Sequence, residues 1–580
     1  MLIYLYIIFA YLLVLTAFNF YRSKKIKSQE DFMVAGRSLS MKVMVFTLIC
    51  TWIGSGTFIA GAEYAAHAGW SSLWMPAGAW FGIVVIYFLA AKVRTFGQYT
   101  VGDILENRYG KVARVVGAIM IIIAFTTIVS YQFRAGGLIL NIATGGAISV
   151  ATGQAIAATF VILFTALGGM VAVAHTDLPN GIIILLACCI ALPFVMLFSG
   201  GADAVVQNLP ATHTAVFSED FGQYPALKAG GYFLATLLLL MGIQSMYQKF
   251  YSAKTPKDAK QAVGLWIVGT IVVEVVVVAI AIYAASIHWV DIKEFEVVEK
   301  VKQEVIAEKL DPAMSLDRAN SMVSVMQAKG ALKTDQISNL LAKINADLGS
   351  VKTKAELLNV NVGLDPAAIV LKAAEDISSG FKSPGGKTTL MSIIGLIAGG
   401  LLLAAACAVV LSTGMNYLLS PTTNVMRDIY QRFISPDASQ SRMVALQKVV
   451  VTIIGVFAFL LIFIPTVKGS KISVLRYAYV AYTMYGVTIT PALIAALTWK
   501  RATKAGGVAS IIAGASVAIF MELVIPHLFP SILKGGDPWG IPGIYISFIA
   551  SIGCLIIVSL MTSPPEPEEL EKLFPTEKIA

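Results

Sequence analysis

Between Phe46 and Glu63 an apolar stretch of membrane-spanning length is interrupted by Gly54, Ser55, Gly56 and Thr57. Glycines beside hydroxyls let a helix unwind. Unwound backbone at membrane depth survives only where it lines a cavity, because each free carbonyl in hydrocarbon costs several kcal/mol. Carbonyls freed by such a break can coordinate a cation. Broken helices near the bilayer midplane are how many secondary transporters build solute and ion sites, so Cys50 to Thr57 is the expected centre of a transport site. The same residues would also serve as a small-residue packing face, and the stretch alone leaves both readings open.

The elements that must hold this site are membrane helices. The chain has 580 residues, 57% hydrophobic and 13% charged, with a mean hydropathy of +0.77. Apolar runs of about 20 residues or more, long enough to cross a hydrocarbon core, recur along it. Thirteen spans are expected: 2–18, 41–66, 72–92, 111–140, 152–174, 178–200, 228–248, 262–288, 390–424, 445–466, 472–498, 505–528 and 540–561. The first is retained with its N-terminus outside, since Arg22, Lys24, Lys25 and Lys27 follow it and no small-residue cleavage site does. Threading the rest places Lys92-Val-Arg94, 108–114, 249–260, 427–448 and Lys500-Arg501 on the cytoplasmic side, with a cytoplasmic C-terminus. The net charge of +9 is therefore a topology signal and not a nucleic-acid footprint. All five cysteines (Cys50, Cys188, Cys189, Cys407, Cys554) lie in apolar runs, which excludes a disulfide framework.

Residues 290–387 do not belong in the membrane. They are rich in Lys, Glu and Asp, with apolar residues at helical spacing (Val297, Val301, Val305; Ile337, Leu340, Leu341, Ile344). A helical insert on the extracytoplasmic side is expected, as a solvated cap; a partner-binding role is its alternative. The acidic tail, 563–580, reads as disordered and cytoplasmic. No phosphate loop, nucleophile elbow or metal-spaced Cys/His cluster is present. Uphill transport would have to run on an ion gradient.

Several separated motifs occur in one order: Asp31-Phe-Met-Val-Ala-Gly-Arg-Ser-Leu, Gly168-Gly-Met-Val-Ala with Thr176-Asp177, Gln248-Lys249, and Ser412-Thr413 followed by Asp428-Ile-Tyr430. Together they resemble the sodium:solute symporter family over about 30–290 and 365–500. Asp365-Pro-Ala-Ala looks like the family's short helix before its sodium-binding span, so the extra sequence is chiefly 290–364. The resemblance implies a LeuT-like all-α fold: two inverted five-helix repeats, 41–200 and 228–498, with one additional helix before and two after.

It also implies a sodium site, with Na⁺ as coupling ion. The matching positions are the carbonyls of Cys50, Ile53 and Val409 and the hydroxyls of Ser412 and Thr413; these last two follow Val409 by one helical turn and can face one point with it. Asp177 matches an acidic position near that ion, a helix cap being its alternative. Where some members add hydroxyls for a second sodium, this chain has Met415 and Asn416. A second sodium is not expected.

Sugar-transporting members carry a glutamine and a glutamate where this chain has Thr57 and Leu73, which argues against a sugar. Choline-transporting members share Thr51-Trp-Ile-Gly and Ala62-Glu63, but their aromatic cage needs tryptophans on the 111–140 and 228–248 spans, where this chain is aliphatic; Trp52 alone keeps that reading open. Arg134, in Ser130-Tyr-Gln-Phe-Arg-Ala-Gly-Gly, reads as the one unexpected charge inside a span. Sialic-acid-transporting members carry an arginine at what looks like this position, and a guanidinium fork matches a carboxylate. Arg134 could instead snorkel to headgroups or pair with Glu63. Ser55, Thr57, Trp52, Trp74, Gln244 and Tyr247 are expected around the same solute cavity.

The resulting expectation is a multi-pass plasma-membrane protein that is not an enzyme. It comprises 1–289 (membrane), 290–387 (insert), 388–562 (membrane) and 563–580 (tail), and couples Na⁺ to symport of a small carboxylate-bearing solute: a monocarboxylate, an amino acid such as proline, or pantothenate. A proton-coupled permease of the same fold is the alternative. A transporter-derived sensor would need a fused signalling module, for which too little follows residue 561, and a channel would need charged rings.

Overall fold

A computed structural model describes residues 10, 13–17, 19–21, 23–24, 26–380, 389–467, 473–571 and 573–574. The expected first span, 2–18, lies largely outside them, as do 381–387 of the insert and 575–580 of the tail.

The described chain is helical apart from one small antiparallel ladder, Leu533–Lys534 with Asp537–Pro538. Ten described helices are long and apolar enough to cross a membrane. They account for the expected spans once three facts are noted. The first span is largely outside the described residues. Met41–Trp52 is only the first half of a broken helix, whose second half, from Gly56 through Ala68, leads through a turn at Gly69 (φ 59°, ψ −139°) into Trp74–Phe96. The 152–174 and 178–200 spans form one 50-residue helix, Val150–Ser199, interrupted at Gly169.

That last point corrects the expected boundary. The turn is at Gly169 (φ 46°, ψ −158°), not at Thr176-Asp177. Hydropathy misplaces it because Asp177 looked like a loop charge, whereas Asp177 is buried within the second half. The motif beginning at Asp31 explains the turn. Gln29–Val34 is a short helix closed by a reciprocal cap between Ser28 and Asp31, and it packs the fully buried Phe32 against Gly169. Leu39 then pairs with Ser252 and Lys254, donating to the Ser252 carbonyl at 3.0 Å and accepting from the Lys254 N–H at 2.8 Å. The motif is structural.

The basic loops gather at one end of the bundle, where their side chains cap helix C-termini. Arg108 donates to the carbonyls of Lys500 and Ala502, Lys92 to Leu497 and Arg94 to Ala253. The insert covers the other end. Its boundary is not a break in the chain: Pro256–Ile306 continues past a kink at His288, so 290–306 extends a membrane helix. Ser315–Ala328 and Thr334–Leu348 fold back on that extension and bury Val297, Val301, Val305, Leu340 and Ile344, the expected apolar faces. Anchors near the kink include Trp289 Nε1 donating to Ala331 O (3.0 Å), Lys343 to Asp291 (2.5 Å) and His288 to Asp376 (2.6 Å).

A Cβ at position 169 would come within 2.8 Å of the Phe32 ring in a backbone conformation L residues avoid, whereas one at Gly553 would meet nothing within 4 Å. Gly169→Ala should therefore lower the thermal midpoint of the detergent-purified protein, costing about 1 kcal/mol or more. Gly553→Ala, within Gly543–Met561, should leave it unchanged or raise it. Equal midpoints for the two variants would contradict the assigned turn.

Candidate ion and solute site

At the first break the helix ends at Trp52, Ile53 turns to extended backbone (ψ 96°), and helix resumes at Gly56. Side chains of other helices satisfy the freed groups. Thr413 Oγ1 lies 2.8 Å from Cys50 O and 3.0 Å from Ile53 O, and Gln132 Oε1 accepts from Ser55 N–H at 3.1 Å. Gly54 permits this approach, since a Cβ there would stand 2.7 Å from Thr413 Cγ2. Ser412 Oγ lies 3.4 Å from Cys50 O and 3.5 Å from Val409 O. Three carbonyls and two hydroxyls thus form one run of contacts that shares Cys50 O. Oxygens bound to an ion at about 2.4 Å and set at right angles stand about 3.4 Å apart. The Ser412 contacts already have that spacing, and the all-oxygen, uncharged set suits a hard monovalent cation.

Asp177 stands behind these oxygens. Its Oδ2 accepts from Thr47 Oγ1 (2.5 Å) and Asn416 Nδ2 (3.0 Å), its carbonyl accepts from Cys50 Sγ (3.3 Å), and its Oδ1 has no hydrogen-bond partner among the described residues. It caps no helix. Asn416 Nδ2 also donates to Ser412 O at 2.8 Å, while its Oδ1 accepts from the fully buried ammonium of Lys249. Lys249 and Asp177 thereby bracket Asn416 with opposite charges, one residue shell from the oxygen cluster.

The second break, at Gly242-Ile243, follows the same rule. The Tyr485 hydroxyl donates to Gly242 O (2.8 Å) and accepts from Gln244 N–H (3.0 Å), bridging Pro225–Gly242 and Gln244–Ser252. Towards the basic end lies a buried ion cluster. Arg114 donates to Asp428 (2.6 Å), Asp103 (2.8 Å) and Glu106, and Asp428 also accepts from Thr100 (2.8 Å) and Asn424 (2.6 Å).

A small cavity opens beside the first break, lined by Trp52, Thr57, Ser72, Thr236, Tyr482 and Glu274 among others. Glu274 is 3% exposed and its two oxygens accept separately from indoles: Oε1 from Trp52 (2.9 Å), Oε2 from Trp80 (2.6 Å). Sequence reading missed it, although it stands alone in Ile271-Val-Val-Glu-Val-Val-Val-Val. Glu274, like Arg134, is a lone charge in an apolar run, so Arg134 is not the one such charge. Lys249, Asn416 and Tyr482 were also missed as site residues, Asn416 having entered only as a departure from a second sodium site.

The expected single solute cavity is not assembled. Trp52 and Thr57 line the cavity above. Arg134 lines a separate one of about 380 Å³ under the insert, with Glu63, His67, Glu296 and Asp365, and makes no hydrogen bond or ion pair among the described residues. It is one turn outward of Tyr131, whose hydroxyl meets Tyr482 at 3.2 Å. Trp74 is at the outer surface, stacked on Phe217 and donating to Val216 O. Gln244 is consumed by Val101 N–H, Ser420 O and Asn424, and Tyr247 by Met241 O. Ser55 is fully buried at the break, and its hydroxyl has no partner among the described residues. Composition marked these residues as polar and intramembrane, but only helix rotation decides which cavity each one meets.

Ten membrane-length helices among the described residues, packed around a broken helix, fit a polytopic secondary transporter. The chain belongs to the sodium:solute symporter family, which it matches over residues 32–314 and 387–514. It is a sodium-coupled solute symporter and not an enzyme. Among relatives, it is 23% identical to a high-affinity proline transporter of Bacillus subtilis (strain 168), covering 94% of this chain and 96% of the relative. It is also 23% identical to a sodium/proline symporter of Staphylococcus aureus (strain JH9), covering 96% and 92%. A solved Na⁺-coupled sialic acid symporter in its substrate-bound, outward-open state superposes with a TM-score of 0.66 at 14% identity, covering 97% of this chain and 99% of that one. That likeness concerns the fold, which is LeuT-like.

The bracketed pair sets a thermodynamic test. Asp177→Asn or Lys249→Met alone leaves one buried charge uncompensated and should destabilise the detergent-purified protein by about 3 kcal/mol or more. The double variant should recover part of that loss. Additive losses would show that the two charges do not depend on each other.

Proposed function

We propose that this symporter carries a small carboxylate-bearing solute into the cell, with amino acids such as proline the first class to test. The carbonyls of Cys50, Ile53 and Val409 and the hydroxyls of Ser412 and Thr413 hold one Na⁺, and Asp177 sets its field from behind. The observation that carries this reading is that the Ser412 and Thr413 hydroxyls each reach two of the three carbonyls and share Cys50 O. The buried ammonium of Lys249 occupies the neighbourhood where a second sodium would have to sit, which supports a single ion. Arg134, without a hydrogen-bond or ion-pair partner among the described residues, meets the solute carboxylate first, in the outer cavity, and the solute then passes to the central one, where it meets Trp52 and Thr57. The proline-transporting relatives support the amino-acid class.

The finer architecture proposed is two inverted repeats, 41–200 and 228–498, with one additional helix before and two after. Supporting it, both breaks fall in the opening helix of a repeat, and Leu39 ties the start of one such helix to the end of the other. The insert is extracytoplasmic, the basic end cytoplasmic, and the membrane the plasma membrane, in line with where the basic side chains gather.

Uptake of labelled proline into proteoliposomes should follow an imposed Na⁺ gradient and be insensitive to a pH gradient of the same size. Ser412→Ala and Thr413→Val should each raise the Na⁺ concentration for half-maximal uptake. The factor is about tenfold to a hundredfold for a hydroxyl that binds a charge, at 1.5–3 kcal/mol, and larger for Thr413, which touches two of the carbonyls. Unchanged Na⁺ dependence in both would remove the proposed site.

The removable part of the insert is 307–353, not all of 290–364. Glu296 lies on the extended membrane helix and pairs with His67, on the second half of the broken helix, at 2.9 Å. Replacing 307–353 by a short Gly/Ser linker should preserve Na⁺-driven uptake while lowering the thermal midpoint, because Val301 and Val305 lose their cover. Loss of uptake in a variant still present in the membrane would assign the insert a part in transport.

A further inference from the structure

We propose that Glu274 is the seat of a cationic nitrogen on the transported solute, so that the solute is a zwitterion with a protonated amine and not a simple carboxylate. This rests on the symport reading above and deepens it.

The carboxylate is held in one orientation. Each oxygen accepts one indole N–H, from Trp52 at 2.9 Å and from Trp80 at 2.6 Å, and each keeps a lone pair for another donor. Those indoles are neutral, so they orient the charge without cancelling it. Among the described residues no lysine, arginine or histidine stands within ion-pair distance of Glu274. The buried cations are committed elsewhere: Lys249 to Asn416, Arg114 to its three carboxylates, Arg108 to carbonyls at the basic end, Lys293 to Glu296. Arg134 belongs to the outer cavity. An uncompensated carboxylate at membrane depth is expensive and is balanced either by a proton or by a cation that the solute brings; the two indoles leave a lone pair free on each oxygen, which suits the second.

The lining says which cation. A bare metal ion asks for five or six oxygens, and here the remaining wall is largely Met75, Pro76, Val278 and the rings of Trp52 and Tyr482. Thr236 has its hydroxyl engaged with Met75 O at 2.5 Å. An alkylammonium wants a different setting: one carboxylate, a neighbouring hydroxyl, aromatic faces and apolar walls for its carbon skeleton. Ser72 supplies the hydroxyl, its Oγ buried beside the cavity with no hydrogen-bond partner among the described residues.

The test is solute-dependent ²²Na⁺ uptake into proteoliposomes, comparing L-proline with tetrahydrofuran-2-carboxylate, which places a ring oxygen where proline has its NH₂⁺, and with lactate and pantothenate. Proline should drive sodium uptake, and the oxygen analogue should need at least about tenfold more for the same effect. Glu274→Gln should weaken proline-driven uptake by a similar factor, and Glu274→Asp should retain part of it. The analogue comparison uses the wild-type protein, so it decides the matter even if Glu274→Gln never reaches the membrane. If the oxygen analogue, lactate or pantothenate drives sodium as well as proline does, this assignment falls while the symport reading stands. If uptake tracks an imposed pH gradient and Glu274→Gln abolishes only that dependence, Glu274 is a proton site and the assignment falls. If no solute moves sodium, the amino-acid reading fails and takes this one with it.

Discussion

A polar backbone group in hydrocarbon must find a partner inside the protein, and the fold around both helix breaks follows from that requirement. At Cys50-Ile53-Ser55 the freed groups meet Thr413 and Gln132; at Gly242-Gln244 they meet the single hydroxyl of Tyr485. The two solutions differ in what they can release. Tyr485 gives and takes one hydrogen bond each and is saturated. Thr413 and Ser412 offer hydroxyls that share three carbonyls, an arrangement a cation can enter by reorienting hydroxyl hydrogens without moving the backbone.

Charge obeys the same rule at higher stakes. Asp177 and Lys249 share Asn416, and Arg114 is surrounded by Asp103, Glu106 and Asp428. The first pair lies next to the ion site, where its opposite signs leave a modest net field. The Arg114 cluster draws together three elements near the basic end: Val101–Tyr109, Lys111–Ala143 and the irregular helix Asn424–Ile434. Glu274 is the exception, with its charge oriented and left for a visitor.

Hydropathy made the helical architecture legible almost helix by helix, because a membrane span announces itself in about 20 consecutive residues. It could not place the turn at Gly169, a one-residue event hidden under Phe32, nor see that Pro256–Ile306 crosses the expected insert boundary without a loop. The proposed ion-site residues came from the family resemblance, whose motifs carry them in two short segments: Cys50 and Ile53, then Val409, Ser412 and Thr413. Of the residues around the proposed solute cavity, only Trp52 and Thr57 were expected. Trp52, Thr57, Ser72, Thr236, Glu274 and Tyr482 come from five separate stretches, and their meeting depends on helix rotation that no local pattern records. Arg134 and Glu274 show the difference well: each is a lone charge in an apolar run, yet they face different cavities.

Trp52 joins the two functions through one residue. Its neighbours at 50 and 53 present carbonyls to Thr413 in the proposed ion site, and its own indole holds one oxygen of Glu274. The backbone from Cys50 to Ile53 is a single turn about to unwind, so whatever fixes those carbonyls also fixes the direction of the Trp52 side chain. An ion drawn to the carbonyls would therefore hold the Glu274 carboxylate in its oriented form. By reciprocity of binding free energies, a solute that engages Glu274 would tighten the ion site to the same degree. Coupling between sodium and solute needs no longer path than this one residue, and the chain places it where the helix breaks.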